Sequence, residues 1–197
     1  MADARVAELW RYPVKSMRGE RLETAELERE GIRGDRLLRV ERDGRLITAR
    51  TGRGLLSIDP SAGAPEAQLE RAVPGAELVS TADGGRFDEM PIQLLGAATA
   101  TEFGADHRRF RPNIVVAGIA AAEEDGWVGR QIRVGDVVLR ADHRCERCVV
   151  TTIDPDTLEL DTSVLERLHS EKESRFGVLC EVVVTGTIRV GDPVVPL

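Results

Sequence analysis

Short apolar runs, separated by glycine-bearing turns, fill the first half of the chain. Runs of about four to eight residues bounded by such turns are typical of β-strands. Two of these runs flank the dipeptide Asp43-Gly44, which predicts a two-residue β-hairpin turn. The predicted strands of this half cover residues 5–10, 21–27, 36–42, 45–48 and 76–79.

A segment rich in proline, alanine, serine and glycine at residues 59–67 has no periodicity and predicts a loop. Beyond it, Pro91 is followed by apolar residues at 92, 94 and 95 and then by alanines, which favours a helix over residues 91–103. A second helix is predicted at residues 163–174. Further β-rich runs predict strands at residues 114–116, 137–141, 148–153 and 181–185. The predicted fold class is mainly β with a few helices (α+β).

One pentapeptide occurs twice in the second half of the chain. Residues 132–136 read Ile-Arg-Val-Gly-Asp, and the same five letters recur at residues 188–192. Each copy leads into a second apolar run, and Gly-Asp supplies the conformation that a tight turn needs. We interpret both copies as hairpin corners, and together they suggest a closed antiparallel barrel.

Composition and charge limit the functional classes. Of 197 residues, 42% are hydrophobic and 31% charged, as in ordinary globular proteins, and no apolar run approaches the roughly 20 residues that span a bilayer. The formal charge of −7 argues against a general nucleic-acid or anionic-membrane binder, because phosphate groups require a positive surface. The first residues lack the basic and apolar segments of a secretory signal, so we expect a cytoplasmic location.

Lysine and cysteine usage is more informative. The chain has 25 arginines but only two lysines, Lys15 and Lys172, so the lysine in the N-terminal third suggests a place where a compact ammonium group is required. Three cysteines, two of them close together, make a poor disulfide framework for a chain of this size. Thiol chemistry or metal ligation is the better interpretation.

The segment Cys145-Glu146-Arg147-Cys148 places two thiols where a loop is predicted to enter a strand. A structural zinc site would need four ligands, and no second cysteine or histidine pair is present. A thioredoxin-like pair would open a helix, whereas β-branched residues follow here. Inert cysteines remain one interpretation. The other is a single thiolate presented to a metal, with Arg144 and Arg147 supplying positive potential.

Other parts of the chain carry groups that suit an anion. Lys15 and Ser16 follow the first predicted strand, Arg36 follows a glycine turn, and Arg111 and Asn113 precede another strand. Such residues can bind a phosphate and a polar heterocycle. Their spacing alone does not join them into one site.

The order of these motifs resembles that of the MOSC-domain proteins, which are similar to the C-terminal domain of molybdenum cofactor sulfurase and include the mitochondrial amidoxime-reducing component. The resemblance extends over nearly the whole chain. The matching motifs lie at residues 12–16, 34–36, 48–50, 110–114, 145–155 and 186–193.

The resemblance implies a MOSC β-barrel at residues 87–197, intertwined with an N-terminal β-rich module at residues 1–86, with the molybdenum cofactor (Mo-molybdopterin) held between them. Cys148 would be the molybdenum ligand, and Cys145 a neighbour of the site. The residues implied to hold the pterin and its phosphate are Lys15, Ser16, Arg36, Arg111 and Asn113, together with Arg147 of the cysteine segment.

The activity implied is reduction of N-hydroxylated compounds such as amidoximes and hydroxylamines. A reduced molybdenum centre would take the oxygen of the N–O bond, and two electrons and two protons would then reset it. The electrons would come from a separate donor such as a ferredoxin or a flavin reductase. Arg50, Asp154 and His143 are expected to line the catalytic pocket. The chain differs from the longer family members at Glu89-Met90 and at Leu179.

Three other functions are compatible with the same residues. One is a cofactor carrier or insertion protein without turnover. Another is sulfur transfer through a persulfide on Cys148, which needs no metal. A pyridoxal phosphate site built on Lys15 is disfavoured, although a lysine near phosphate-binding arginines is its minimum requirement.

Overall fold

The computed structural model describes residues 3–82, 84, 86–87 and 89–197. The strands are β1 Arg5–Arg11, β2 Glu20–Leu22, β3 Thr24–Glu28, β4 Gly31–Ile32, β5 Leu38–Arg42, β6 Arg45–Ile47, β7 Glu77–Ser80, β8 Ile92–Gly96, β9 Ile114–Ala117, β10 Gln131–Val134, β11 Val137–Glu146, β12 Arg175–Val184, β13 Gly186–Arg189 and β14 Val194–Pro196. The α-helices are α1 Pro65–Ala72, α2 Ala97–Phe103 and α3 Thr162–Lys172. Short 3₁₀ segments span Arg53–Ser57, Pro60–Ala62, His107–Phe110, Glu123–Trp127 and Val149–Thr152.

The largest sheet closes into a barrel. Its strand order is β14-β10-β11-β12-β8-β9-β1-β2. The two sides meet where the Val6 N–H donates to the carbonyl of Asp192 at 2.9 Å and the Val194 N–H donates to that of Ala4 at 2.9 Å. Closure pairs backbone groups that an open edge would expose. Buried side chains fill the interior, among them Leu9, Leu94, Ile114, Leu139 and Val178.

The two halves of the chain interleave. Strand β1 from the first half pairs with β9 of the barrel, and β13 from the end of the chain pairs with β3. A third sheet, β6-β5-β7, is built from the first half alone and packs over its own core, which includes Val14, Met17, Val40 and Leu55. The prediction of a mainly β barrel with a few helices is confirmed. A division into modules at residues 86 and 87 stays a prediction.

The predicted helix at residues 91–103 is wrong in its first half. Ile92–Gly96 is strand β8, which lies between β12 and β9 and is buried along its whole length. A strand covered on both faces carries a continuous apolar run, which periodicity alone does not distinguish from a buried helix. The helix begins only at Ala97.

The predicted strand at residues 148–153 is also wrong. Strand β11 ends at Glu146, and Val149–Thr152 forms a 3₁₀ turn. Its β-branched residues are held locally, because the hydroxyl of Thr151 donates to the Cys148 carbonyl at 2.9 Å and that of Thr152 to the Val149 carbonyl at 2.7 Å. The cysteine segment therefore leaves a strand instead of entering one.

Smaller differences concern turns. The first copy of the repeated pentapeptide forms the β10–β11 hairpin as predicted, but the second links β13 and β14, which belong to different sheets. That hairpin prediction is wrong, because β13 pairs with β3 and β14 pairs with β10. The predicted loop at residues 59–67 contains a 3₁₀ turn and the start of α1. The predicted strand at 21–27 is two strands, β2 and β3.

A fully buried carboxylate, Glu124, fastens the start of helix α2 to the 3₁₀ segment Glu123–Trp127. Its Oε1 accepts the Gly96 N–H at 2.9 Å, and its Oε2 accepts the hydroxyl of Thr99 at 2.8 Å. Loss of solvation raises the pKa of this carboxyl above its usual value, although both hydrogen bonds oppose the shift. Glu124 thus has a structural role, and its burial makes the ionised form of the carboxyl group energetically unfavourable.

We expect Glu124→Ala to lower the free energy of unfolding by about 2 kcal/mol, because the Gly96 N–H and the Thr99 hydroxyl lose their acceptor. The raised pKa also means that titration of this carboxyl contributes stability at low pH, which is lost as the pH rises through the folded-state pKa. Urea unfolding at pH 5 and pH 7.5 should therefore show Glu124→Gln gaining stability relative to wild type at the higher pH. The exposed neighbour Glu123, changed to Gln, is the matched control, and an equal gain there would contradict the assignment.

Candidate functional site

A cavity of about 290 Å³ is lined by residues from both halves of the chain. Of the predicted site residues, the structure brings eight to its wall: Lys15, Ser16, Arg36, Arg50, Arg111, Asn113, Arg147 and Cys148. They come from positions as far apart as 15 and 148. The fold therefore joins groups that sequence spacing alone could not.

The turn after β1 carries Lys15 and Ser16. Val14 forms a parallel bridge with Leu38, and the Lys15 N–H donates to the Leu38 carbonyl at 2.8 Å. Ser16 has a left-handed backbone, with φ of 68°, which ends the extended segment. Lys15 is only 9% exposed, so its ammonium group lies in the wall of the cavity and not on the outer surface.

Two arginines lie against one tyrosine. The guanidinium carbons of Arg36 and Arg111 are 4.9 and 4.1 Å from the ring centroid of Tyr12, within the range of cation–π attraction. Burial raises the pKa of Tyr12, whose hydroxyl donates to the Pro112 carbonyl at 3.1 Å. The neutral ring thus holds two positive groups near each other in the cavity wall.

Asp35 binds both Tyr12 and Arg36. It is fully buried, accepts the Tyr12 N–H at 2.7 Å and pairs with the guanidinium of Arg36. Arg111 is anchored separately, since it donates to the Met17 carbonyl at 2.7 Å. Arg36 and Arg111 both have left-handed backbones, with φ of 50° and 54°. These contacts fix where the two positive charges lie.

The opposite wall carries the cysteine segment. Arg147 donates to the Phe176 carbonyl at 2.8 Å and to the Phe110 carbonyl at 3.0 Å, and it lies over the Phe110 ring. Loss of solvation lowers the pKa of this guanidinium. Arg147 therefore clamps the end of β11 to the aromatic cluster beneath the sheet, and this fixes the backbone that leads to Cys148.

The two thiols differ in their surroundings. Burial raises the pKa of Cys145, which favours its neutral form. Cys148 begins the 3₁₀ turn, and its carbonyl accepts both the N–H and the hydroxyl of Thr151. Both cysteines line the cavity, but only Cys148 is held by this turn.

Asn113 and Gln93 form part of the cavity wall with different partners. The Asn113 side chain accepts the Gln93 N–H at 3.2 Å and donates to the Trp10 carbonyl at 3.2 Å, so it links three strands. The Gln93 side-chain nitrogen is buried and has no hydrogen-bond partner within the described residues. Sequence reasoning missed Gln93, although a single polar residue inside the apolar run at 92–95 was a usable signal. It is a donor available to a ligand.

Other lining residues were also missed. Arg86, which lines the cavity, donates to the carbonyls of Asp35 and Ile32, at 2.8 and 3.2 Å. Glu89, Met90 and Leu179, where the chain departs from longer family members, all line it. So do Leu46, Thr48, Ala49, Phe87, Arg109, Phe110, Glu146, Val150 and Thr151. Six of these nine lie within the matching motifs, whereas Leu46, Phe87 and Arg109 lie in none of them.

Asp154 and His143, which were also expected to line the catalytic pocket, are not among the residues that line this cavity. Asp154 accepts the N–H groups of Asp156 and Thr157, each at 2.9 Å, and pairs with Arg109 at 2.9 Å. The two backbone hydrogen bonds hold its pKa below the usual value. Asp154 shapes a turn, since its oxygens are committed to these donors.

His143 lies between two carboxylates outside the cavity. Its Nε2 is 2.7 Å from Glu89, and its Nδ1 is 2.7 Å from Asp142. Hydrogen bonding to these carboxylates raises the pKa of the imidazole. The pairing of β11 with β12 shows register irregularities on both sides of His143.

Two family profiles match the chain. Residues 93–195 match the MOSC domain, and residues 3–103 match the MOSC N-terminal beta barrel domain. The chain belongs to the MOSC family. The resemblance read from its motifs is thereby confirmed.

Relatives of this MOSC protein include mitochondrial amidoxime-reducing components. The component 2 protein of Rattus norvegicus is 36% identical over 126 residues, covering 54% of this chain and 37% of the relative. Component 2 of Homo sapiens is 38% identical over 114 residues, covering 51% and 33%. The matched region thus spans about a third of the length of these relatives.

Solved structures share the fold at low sequence identity. The YuaD protein from Bacillus subtilis gives a TM-score of 0.53 at 13% identity, covering 98% of this chain and 94% of that one. YiiM from Escherichia coli gives 0.50 at 11% identity, covering 100% and 69%. These likenesses support the MOSC fold. Among the described residues, no helix is long and apolar enough to cross a membrane.

Proposed function

We propose that this MOSC protein binds the molybdenum cofactor in the cavity and uses it to reduce N-hydroxylated compounds. The observation that carries the proposal is one cavity that contains a positioned thiol, Cys148, together with an anion-binding wall. Similarity to proteins named as amidoxime-reducing components supports the substrate class.

The residues present fit the cofactor. Guanidinium and ammonium groups recognise phosphate, and Lys15, Arg36 and Arg111 bring three of them to the wall. The buried nitrogen of Gln93 can donate to a polar heterocycle. Within the described residues, no cluster of three or more His, Cys, Asp or Glu side chains could hold a metal unaided. A metal bound by Cys148 would therefore take further ligands from the cofactor itself.

Each group has a distinct role in this proposal. Cys148 ligates molybdenum, while Arg36 and Arg111 neutralise the phosphate. Cys145 remains a neutral neighbour, in keeping with its raised pKa. Phe87, Met90 and Leu179 provide apolar surface that limits the access of water. Arg50 lies at the rim, where it can orient a substrate.

When bound, the cofactor supplies two-electron redox chemistry. For an amidoxime, the N–O bond breaks, two electrons and two protons are consumed, and the products are the amidine and one water. The electrons come from a separate donor. The protein contributes the position of the metal ligand, the neutralisation of the cofactor's charge and the shape of the substrate pocket.

The direct experiment is reduction of benzamidoxime by protein purified from a molybdenum-competent host, with reduced methyl viologen as electron donor. We expect stoichiometric benzamidine. Protein from the same host grown with tungstate serves as the control and should be inactive. If protein with a full complement of molybdenum and pterin makes no benzamidine, the reductase proposal is wrong, and transfer of the cofactor to an apo-enzyme becomes the function to measure.

A further inference from the structure

Four arginines lie between residues 42 and 53, on the β5–β6 hairpin, on the turn that follows it and at the start of the 3₁₀ segment Arg53–Ser57. Arg42, Arg45, Arg50 and Arg53 are all exposed, and Asp43 is the one acidic residue between positions 42 and 53. This stretch has a formal charge of +3 in a chain whose net charge is −7. We call these four residues the arginine hairpin.

The arrangement of these arginines is energetically unfavourable for the hairpin. Arg42 and Arg45 are direct cross-strand partners, flanking the Asp43-Gly44 turn. Like charges opposite each other destabilise an antiparallel pair. Within the part of the chain that the structure describes, neither makes a side-chain ion pair, and the same is true of Arg53. Elsewhere, arginines such as Arg108 are paired with carboxylates. Arg42, Arg45 and Arg53 therefore present positive charge that no carboxylate among the described residues pairs with.

The arginine hairpin adjoins the cavity. Strand β6 is an edge of its sheet, and the chain runs from it directly into Thr48, Ala49 and Arg50, which line the cavity wall. Leu46 on β6 also lines the cavity, although it is 48% exposed. Val149, which follows the cavity-lining Cys148 in the chain, is 47% exposed. A positive rim with exposed apolar side chains therefore lies at the mouth of the site.

We propose that the arginine hairpin docks an acidic electron-carrier protein of the ferredoxin or flavodoxin type. The inference rests on the reductase proposal, because only a redox site needs such a partner. Charge complementarity selects the class: an acidic carrier is repelled by most of this acidic chain and attracted by the hairpin, so it approaches with its redox centre towards the cavity. Leu46 and Val149 then provide the apolar centre of the contact.

The test uses a plant-type [2Fe–2S] ferredoxin, kept reduced by its NADPH-dependent reductase, as the electron source for benzamidoxime reduction. The double variant Arg42→Glu, Arg45→Glu should lower kcat/KM for ferredoxin by about tenfold at low salt, because rim charges act mainly on association. Its rate with methyl viologen should equal that of wild type. The wild-type ferredoxin rate should also fall as ionic strength rises, and the variant should lose this dependence.

The matched control changes two exposed arginines elsewhere, Arg133→Glu and Arg189→Glu, and should keep the ferredoxin rate. Isothermal calorimetry measures the affinity of each protein for ferredoxin. Together with the methyl viologen rate, it separates the reductase proposal from the docking proposal. Absence of a methyl viologen rate counts against the reductase function, whereas equal ferredoxin affinity of wild type and the hairpin variant overturns the docking site. The docking proposal is also overturned if the control loses as much as the hairpin variant, or if wild type binds neither this ferredoxin nor a flavodoxin at low salt.

Discussion

Cys148→Ser is expected to lower benzamidoxime reduction by more than about 100-fold. Removing groups that merely support a metal ligand typically reduces metal affinity or activity 10–100-fold, so losing the ligand itself should have a greater effect. Serine has nearly the size of cysteine, but its oxygen is a poorer partner for a metal that binds thiolate. The backbone contacts of the turn, in which the Cys148 carbonyl accepts from Thr151, should survive. The measurement is the rate with methyl viologen at matched protein concentration.

Cys145→Ser is the matched control, because both thiols line the cavity and lie on one segment. It should retain most of the activity, since Cys145 is assigned no bond to the metal. Thermal unfolding of both variants should resemble that of wild type, which distinguishes a lost ligand from a lost fold. An active Cys148→Ser protein, or equal losses in the two variants, would contradict the assignment.

The second large effect is expected at Asp35. Asp35→Ala removes the acceptor of the Tyr12 N–H and the carboxylate partner of Arg36. Removing one partner of a buried ion pair typically costs about 3–5 kcal/mol, and we expect about 3 kcal/mol here because Arg36 keeps some contact with solvent. The melting temperature should fall by roughly 6–12 °C for a chain of this size.

Asp35→Asn separates charge from hydrogen bonding. The amide oxygen can still accept the Tyr12 N–H, so this variant should lose clearly less stability than Asp35→Ala. Both variants should retain less cofactor, because Arg36 loses the group that fixes its position. Urea unfolding measures the stability, and a free energy for Asp35→Ala within about 0.5 kcal/mol of wild type would contradict this account of the buried pair.

The sequence predicted the barrel and most of its strands, because hairpins such as Asp43-Gly44 and residues 132–136 are specified locally. Prediction from the sequence failed where tertiary contacts decide the secondary structure. Ile92–Gly96 has the composition of a buried helix or a central strand, and only its place between β12 and β9 selects the strand. Val149–Thr152 has β-branched residues, but its threonine hydroxyls bond to nearby carbonyls and stabilise a turn instead.

The candidate site also contains residues that sequence motifs predicted and residues that only the folded structure reveals. Residues within ordered motifs, such as Lys15, Arg36 and Cys148, were predicted and do line one cavity. His143 does not line the cavity, and its imidazole lies against Glu89 and Asp142, two contacts that no sequence pattern shows. Gln93 reaches the cavity through sheet pairing between distant strands. Assigning such contacts requires the assembled barrel.

The central claim is that this cavity holds the molybdenum cofactor. The most direct measurement is the molybdenum and pterin content of the purified wild-type chain, made in a host shown to load another molybdenum enzyme in the same culture. The account predicts about one molybdenum and one pterin per chain, and a molybdenum content that falls sharply in Cys148→Ala. Wild-type protein free of both, or equal molybdenum in wild type and Cys148→Ala, would contradict it.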